Sequence, residues 1–300
     1  MLPRTALALA TLLSPVAALA QVLDETPRIA LMSAFPPEWI ALQEGLTDPV
    51  EHVVNGATFV TGTMEGKPVV LFLSGVSMVN AAMTTQMALD RFDITAIAFS
   101  GIAGGVDPEL SVGDVVVPAK WGKYLEGVMA RETDGAFAIP PWMTSEFAPL
   151  GMIATVPWGV RSGASDEVDP RFWFDADPEL MEVAARVAEG VALEDCDPSQ
   201  TCLSQAPRIV VGGNGVSGPF FVDNAELRDW ALSTFEAQVL DMESAAVAHV
   251  AFANDVPFIA FRSLSDLAGG GEGANEMETF MALAAQNAAT VMRAFVSEME

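Results

Sequence analysis

Short apolar runs alternate along the chain with segments in which apolar residues recur every three or four positions. The periodic segments predict helices at 36–46, 78–92, 177–190, 224–234, 243–254 and 276–298. The apolar runs predict strands near 28–33, 57–62, 68–73, 94–99, 114–117, 208–213, 237–241 and 257–262. Because strands and helices alternate, the pattern predicts a layered α/β fold with a largely buried sheet.

One region, at about 119–175, departs from this alternation. It contains no convincing long element, is rich in proline and glycine, and carries four of the six tryptophans: Trp121, Trp142, Trp158 and Trp173. Stretches of this length inside a domain are usually functional loops or disordered, and the tryptophans argue against disorder. We interpret the region as a Trp-rich insertion whose tryptophans either tether it to the core or contact a ligand.

The first twenty residues, MLPRTALALATLLSPVAALA, combine an early arginine, an apolar stretch and a small-residue ending at Ala18-Leu19-Ala20. This is the layout of a secretory signal peptide, and the apolar stretch is too short for a membrane span. No later segment is an unbroken apolar run long enough to cross a bilayer. We therefore expect one folded unit over 21–300 in a protein that is periplasmic or secreted.

The charge balance narrows the possible partners. The formal net charge is −26, from 40 acidic and 14 basic residues. A surface of this kind repels phosphate backbones and anionic lipids, so we expect no nucleic-acid and no membrane partner. The charge itself does not indicate a fold.

Two cysteines, Cys196 and Cys202, lie in the polar segment EDCDPSQTCLS. In an oxidising compartment they could close a small loop as a disulfide, and free thiols are the alternative. With no histidine nearby, the segment offers too few ligands for a metal site.

Polar and glycine-rich segments follow several predicted strands, which is where ligands bind in open α/β sheets. The segment SAFPPEW contributes Glu38, LSGVSMVN contributes Ser74, and SGIAGG allows close approach of the backbone. The segment LDMES contributes Glu243, and FRSLSDLA contributes Asp266. Acidic residues at these positions are also ordinary helix-start and turn residues, so position alone leaves both interpretations open. The two histidines, which lack partner motifs, are predicted to serve in packing or at the surface.

Taken together and in this order, these segments resemble the purine nucleoside phosphorylase superfamily. Within it they are most similar to the methylthioadenosine/S-adenosylhomocysteine nucleosidases, with similarity also to the secreted plant bark storage proteins. The resemblance runs from about Arg28 to Val296 and is strongest in SGVSMVNAAMTTQMALDRFDITAIAFSGIAGGVDPELSVGDVVVP, LDMESAAVAHVA and FRSLSDLA. It implies a single-domain three-layer α/β/α sandwich with a mixed central sheet.

The resemblance also implies roles for individual residues. Asp266 would protonate purine N7, and Ser265 would orient it. Glu243 would bind the ribose hydroxyls, because a carboxylate accepts their hydrogen bonds and favours a cationic sugar. Phe221 or Val222 would form the wall on which the base stacks, Met242 would line the sugar, and Arg262 would support Glu243 or the sugar pocket. Ser74, at a strand end, is the remaining predicted substrate-binding residue.

The nucleophile distinguishes a hydrolase from a phosphorylase. Family phosphorylases gather phosphate with arginines, whereas here the loop SAFPPEW has none, and Phe99 and Ser100 precede Gly101. Water is therefore the favoured nucleophile. Glu38 matches the water-activating glutamate of the nucleosidases, although Pro36 and Pro37 replace acidic neighbours.

These inferences predict an exported purine nucleoside N-ribohydrolase that acts on adenosine-type nucleosides without a metal or organic cofactor. Its partner would be a small-molecule nucleoside. The resemblance implies a homodimer in which the partner closes part of the 5′ pocket. A phosphate-dependent phosphorylase and a non-catalytic nucleoside-binding or storage protein are the alternatives.

Overall fold

The computed structural model describes residues 22–271 and 273–299, so the predicted signal peptide at 1–20 lies outside the described residues. Its six helices agree with the six predicted ones to within a few residues. They are α1 (Pro36–Leu42), α2 (Met78–Arg91), α3 (Pro178–Ala188), α4 (Ala225–Phe235), α5 (Ser244–Asn254) and α6 (Met277–Glu298).

The strands include every predicted one and several more. The first half of the chain supplies β1 (Asp24–Ser33), β2 (Thr47–Val54), β3 (Ala57–Met64), β4 (Lys67–Leu73), β5 (Phe92–Gly105), β6 (Val115–Val117), β7 (Lys120–Lys123), β8 (Gly127–Met129), β9 (Arg131–Thr133) and β10 (Ala136–Ala138). The second half supplies β11 (Ile153–Thr155), β12 (Trp158–Ser162), β13 (Ser165–Arg171), β14 (Trp173–Asp175), β15 (Ile209–Val211), β16 (Asn214–Ser217), β17 (Ala237–Asp241) and β18 (Phe258–Asp266).

Strand β5 is the centre of a twelve-stranded sheet. It pairs in parallel with β1 and with β18, and near its end it pairs antiparallel with β17. From β1 the sheet continues through β4 and β3 to β2, and from β17 it continues through β16 and β7 to β14. Parallel and antiparallel pairs therefore share one sheet, and the prediction of a mixed central sheet is confirmed.

Helices cover both faces of this sheet. On one face, Leu42 of α1, Leu180 of α3 and Phe295 of α6 share a buried apolar cluster with β1, β4 and β18. On the other face, Ala88 of α2 and Val247 of α5 belong to a second cluster, with β5 between the two layers. Burial of apolar side chains on both faces is the main stabilising contribution to such a sandwich. The predicted three-layer α/β/α fold is confirmed.

Outside the region at 119–175, two of the described strands were not predicted, because their local patterns are weak. Strand β2, at the edge of the sheet, is mostly exposed and contains Pro49, so its sequence lacks the apolar alternation of a half-buried strand. Strand β16 has the sequence NGVS, which is short and turn-like. It is held in place by its neighbours, because Gly215 lies so close to the indole of Trp121 that a Cβ atom would be 2.6 Å from the ring.

The region at 119–175, all of which is described, contains eight short strands and no helix. Trp121 is fully buried in the core, and Trp173 packs against a buried apolar cluster that contains Val216 and Phe235. Trp142 and Trp158 are 77 % and 43 % exposed. Two of the four tryptophans therefore tether the insertion to the body of the fold.

The two cysteines are joined in a disulfide, Cys196–Cys202. The loop is anchored to α6 by the buried side chain of Asn287, which accepts from the Glu194 N–H and donates to the Glu194 carbonyl, both at 2.9 Å. Within the described part of the chain, no helix is long and apolar enough to cross a membrane.

Candidate active site

A cavity of about 350 Å³ opens where β1, β17 and β18 end and where β5 approaches its last residues. Its polar lining consists of four carboxylates and one hydroxyl: Glu38, Asp241, Glu243, Asp266 and Ser265. Its remaining lining is apolar: Ala34, Phe35, Val76, Ile102, Ala103, Gly104, Phe220, Phe221, Val222, Leu240, Met242 and Met277. The fold thus brings together seven of the nine predicted site residues in one place.

Asp266 is the last residue of β18, a strand that is buried along its whole length. Its Oδ2 accepts a hydrogen bond of 2.9 Å from Ser265 Oγ, and its Oδ1 accepts one of 2.8 Å from the N–H of Ala268. The latter bond is possible because Ala268 adopts a left-handed turn with φ of 52°. Burial raises the pKa of Asp266 above its usual value, because an ionised carboxylate loses hydration there.

Glu38 lies in the first turn of α1, is buried, and lines the cavity. Its Oε2 accepts from the N–H of Ala34 at 2.6 Å and of Phe35 at 3.3 Å, and its Oε1 accepts from the N–H of Ile102 at 2.8 Å. A carboxylate offers about four acceptor positions, so one is left for a further donor. Burial raises the pKa of Glu38, although the nearby Arg262 charge acts against this shift.

Glu243 lies directly before α5, two residues after the end of β17. Its Oε1 accepts a hydrogen bond of 2.7 Å from the N–H of Ser77, which stands at the start of α2 with φ of 85°. Burial, together with the neighbouring Asp241 carboxylate, raises the pKa of Glu243 to about 7. The positioned carboxyl group therefore titrates close to neutral pH.

Arg262 contacts the carboxylates of Asp241 and Glu243. Its Nε lies 2.9 Å from Asp241 Oδ2 and 2.9 Å from Ser244 Oγ, and its Nη2 lies 3.9 Å from Glu243 Oε2. The guanidinium group is fully buried, with its central carbon 4.0 Å from the ring centroid of Phe99. A buried cation of this kind is stable only when it is paired, and here it faces two carboxylates.

The glycine-rich end of strand β5 makes room for these charged side chains. A Cβ atom on Gly101 would lie 2.2 Å from Arg262 Nη1 and 2.7 Å from Glu38 Oε1. One on Gly104 would lie 3.3 Å from Asp266 Oδ1. The segment SGIAGG was predicted to allow close approach of the backbone. In the structure its backbone lies close to the carboxylates and the arginine around the cavity.

Two of the predicted substrate-binding residues, Ser74 and Arg262, do not line the cavity. Ser74 does not line the cavity, because its hydroxyl turns back to the Gly75 carbonyl at 2.9 Å and the turn that follows directs Val76 toward the cavity instead. Arg262 does not line it either, because the side chain is buried beneath Asp241 and Glu243 and contacts them rather than open space.

The structure also adds side chains that the sequence did not single out. Phe35 and Val76 belong to segments already noted at strand ends, so their place in the lining could have been inferred. Met277 starts the last helix and carries no local signal of function. Asp241 belongs to the segment LDMES, whose acidic residues are also ordinary helix-start residues, and it accepts hydrogen bonds from the buried arginine and from N–H groups at the start of α5.

The two histidines lie away from the cavity. His52 contacts Phe92 edge-on with centroids 5.5 Å apart, and His249 stacks on Phe174 at 4.6 Å. Burial, with the nearby Lys123 charge, lowers the pKa of His249 to about 4, so the ring is neutral at physiological pH. Packing is the role that these contacts support.

Comparison with known proteins identifies relatives of this chain. The chain is similar to the 5′-methylthioadenosine/S-adenosylhomocysteine nucleosidase of Marinomonas sp., with 29% identity over 265 residues that cover 88% of this chain and 96% of the relative. It is similarly related to the nucleosidase of the same name from Halalkalibacterium halodurans, with 29% identity over 91% of this chain and 99% of the relative.

Among solved structures, the Neisseria meningitidis nucleosidase of that name, in complex with methylthio-immucillin-A, has a TM-score of 0.68 at 24% identity and covers 91% of this chain and 99% of its own. Futalosine hydrolase of Helicobacter pylori also has a TM-score of 0.68, at 22% identity, covering 91% of this chain and 98% of its own. The family model of the phosphorylase superfamily matches residues 28–297. The chain belongs to the phosphorylase superfamily.

Proposed function

We propose that the protein is a purine nucleoside N-ribohydrolase that cleaves the N-glycosidic bond of adenosine-type nucleosides with water. The observation that carries the proposal is the set of three buried carboxyl groups, Glu38, Glu243 and Asp266, around one apolar cavity. The curated relatives described above are named as nucleosidases for 5′-methylthioadenosine and S-adenosylhomocysteine, which supports the same reaction here.

Asp266 is the general acid in this mechanism. Breaking the bond between C1′ and N9 leaves the electron pair on the base, and a proton delivered to N7 makes the base a better leaving group. A carboxyl group can deliver that proton at neutral pH only if its pKa is raised, as burial raises that of Asp266. The Ser265 hydroxyl at 2.9 Å orients the carboxyl plane toward the base.

The other two carboxylates serve the sugar and the nucleophile. Glu243 accepts hydrogen bonds from the ribose hydroxyls and stabilises positive charge on the ring as the bond breaks. Glu38 uses its remaining acceptor position to hold a water molecule, and takes a proton from it as the water oxygen bonds to C1′. The products are free base and free sugar, and the proton gained by Glu38 replaces the one lost by Asp266.

The charge of the cavity lining favours water over phosphate as the nucleophile. Among the described residues, no lysine or arginine lines the cavity, and the carboxyl groups there that are ionised would repel a phosphate dianion. The buried Arg262 is already paired with Asp241. The same argument disfavours nucleotides and favours nucleosides with an uncharged 5′ group, such as methylthioadenosine. The apolar side chains of Phe35, Val76 and Met277 offer such a group an apolar surface.

The test is incubation of the purified protein with methylthioadenosine, adenosine and inosine, each with and without phosphate. Free base released at the same rate in both conditions is the expected result. Release that requires phosphate would establish the phosphorylase instead. Saturable binding without any product would establish the nucleoside-binding alternative.

We further propose that the protein is a homodimer. A groove of about 880 Å³ runs between α1, the β2–β3 hairpin and α2, and Val79 and Met83 of α2 are 77% and 55% exposed beside it. Ser74 and Gly75 line this groove while Val76 lines the candidate active site, so a second copy seated there would lie next to the cavity. Light scattering that detects only monomer at micromolar concentration would contradict this proposal.

We also propose that the protein is exported, because residues 1–20 have the pattern of a signal peptide. Scavenging of external nucleosides would suit that location. Mass spectrometry of the protein secreted by its native cells should detect a mature N-terminus at Gln21. An intact N-terminus on protein found only in the cytoplasm would contradict export.

A further inference from the structure

The side chain of Asn275, in the segment between β18 and α6, connects two carboxylates at the base end of the cavity. Its Nδ2 donates to Asp223 Oδ1 at 3.1 Å and to Asp266 Oδ1 at 3.4 Å. Its Oδ1 accepts from the N–H of Met277 at 2.9 Å. Nothing in the sequence pattern indicated this contact, because Asn275 follows a glycine-rich segment whose path only the folded chain defines.

The contacts determine which way the amide group faces. Turning it by 180° would place its oxygen against two carboxylate oxygens and its NH2 group against the N–H of Met277. Both of those pairings are repulsive. The donor therefore faces Asp266, and the half-buried amide has no second orientation in which its partners are satisfied.

The two carboxyl oxygens of Asp266 have different hydrogen-bond partners. Oδ1 receives two N–H donors, from Ala268 and Asn275, so it cannot carry a proton without losing them. Oδ2 has only the Ser265 hydroxyl, which can rotate to accept instead and can then donate to the Ala103 carbonyl at 3.5 Å. The proton of the neutral carboxyl group therefore resides on Oδ2.

We propose that Asn275 is a positioning residue for the general acid, which holds Asp266 Oδ1 as an acceptor and thereby places the transferable proton on Oδ2. The inference rests on the proposed function, because it concerns how the acid of that reaction is prepared. Asp223 is the second anchor: it fixes Asn275 from the segment that also carries Phe221 and Val222, so the base wall and the acid are linked through one amide.

Asn275 also accepts a hydrogen bond from the backbone at the start of α6, so its effect on Asp266 must be distinguished from an effect on the helix. Asn275→Asp keeps the acceptor for the Met277 N–H and places a negative charge at a helix N-terminus, where it is favourable. It removes the donor to Asp266 and substitutes a like charge. The variant therefore preserves the helix start while reversing the interaction with the acid.

Few other charged groups face Asp266. Asp223 acts on it through Asn275, Arg228 of α4 lies against the turn at Gly270, and Glu276 precedes α6. On the side of the cavity, the nearest titratable groups are the other lining carboxylates. None of these changes in the Asn275→Asp variant, so the shift can be assigned to position 275.

The experiment measures kcat/KM for methylthioadenosine against pH. Activity requires protonated Asp266, so it falls as pH rises through the pKa of that group. Asn275 favours the ionised form by donating to it, and a carboxylate in its place disfavours that form. In Asn275→Asp the alkaline limb should move up by about one pH unit, while kcat on the acid plateau falls about tenfold. Asn275→Ala should shift the limb in the same direction by less.

The matched control is Asn254→Asp, the same change at an exposed position of α5, which should leave both quantities unaltered. An unshifted limb and unchanged kcat in folded Asn275→Asp would overturn the inference. NMR titration of the Asp266 carboxyl carbon provides a readout without turnover, and an unchanged midpoint in both variants would overturn it equally. Failure of the proposed function is distinguishable, since it appears as a wild-type protein that releases no base.

Discussion

Asp266→Asn is expected to yield a folded protein whose kcat is about 10²–10⁴-fold lower than that of the wild type, which is the usual contribution of a general acid. The amide can still accept from the Ala268 N–H and interact with Ser265, so the shape of the site persists. It has no proton to transfer to N7. Steady-state kinetics on methylthioadenosine should therefore place the loss in kcat rather than in KM.

The stability of the same variant tests whether the pKa of Asp266 is raised. A carboxyl group whose folded pKa lies above its unfolded value stabilises the protein when protonated, and this stability is lost as pH rises through the folded pKa. Asparagine does not titrate, so the stability of the variant relative to the wild type should increase as the pH rises above about 4, and should stop increasing once the pH has passed the raised pKa of Asp266. Asp229→Asn, an exposed change on α4, is the control. Normal kcat in Asp266→Asn would remove this residue from the mechanism.

Arg262→Met is expected to lower the free energy of unfolding by about 3–5 kcal/mol, because it leaves the buried Asp241 carboxylate without its cation. The methionine side chain occupies nearly the same space as the apolar part of the arginine side chain. The expected loss of stability therefore arises from charge. Urea denaturation followed by circular dichroism measures it. Arg171→Met, which removes an arginine from its pair with Asp169, a carboxylate whose side chain is 52% exposed, should change stability by no more than about 1 kcal/mol.

A double variant separates the charge from the packing. In Arg262→Met with Asp241→Asn, the uncompensated buried charge is absent, while the amide oxygen can still accept from the N–H groups of Glu243 and Ser244. Most of the lost stability should return. Activity should remain low, because Glu243 has lost the cation that lies 3.9 Å from its carboxylate. A double variant as unstable as the single one would show that the guanidinium group acts through packing.

Local pattern was enough to predict the main elements of this fold. The buried strands β1, β5 and β18 have continuous apolar sequences, and the helices have clear periodicity, so both were predictable. Strand β2 at the exposed edge and the four-residue β16 were not, since they depend on pairing with distant strands. The same holds for the short strands at 119–175, whose partners are selected by the tertiary fold.

Some residues of the candidate active site could also be predicted from the sequence, and others could not. Glu38, Glu243 and Asp266 were predictable because each ends or follows a strand at one edge of the sheet, where side chains from separate segments converge. Arg262 was placed correctly beside Glu243, but its burial beneath the cavity could not be read from the sequence. Asn275 and Met277 reach the cavity through the course of a glycine-rich loop, which carries no periodic signal.

The most direct test of the central claim is the fate of the oxygen atom. Methylthioadenosine should be cleaved by the wild-type protein in water enriched in oxygen-18, with phosphate present in excess, and the sugar product analysed by mass spectrometry. We expect one labelled oxygen in the free sugar, no sugar phosphate, and almost no product from Asp266→Asn under the same conditions. Sugar 1-phosphate without label, or labelled sugar formed equally fast by Asp266→Asn, would contradict hydrolysis driven by this acid.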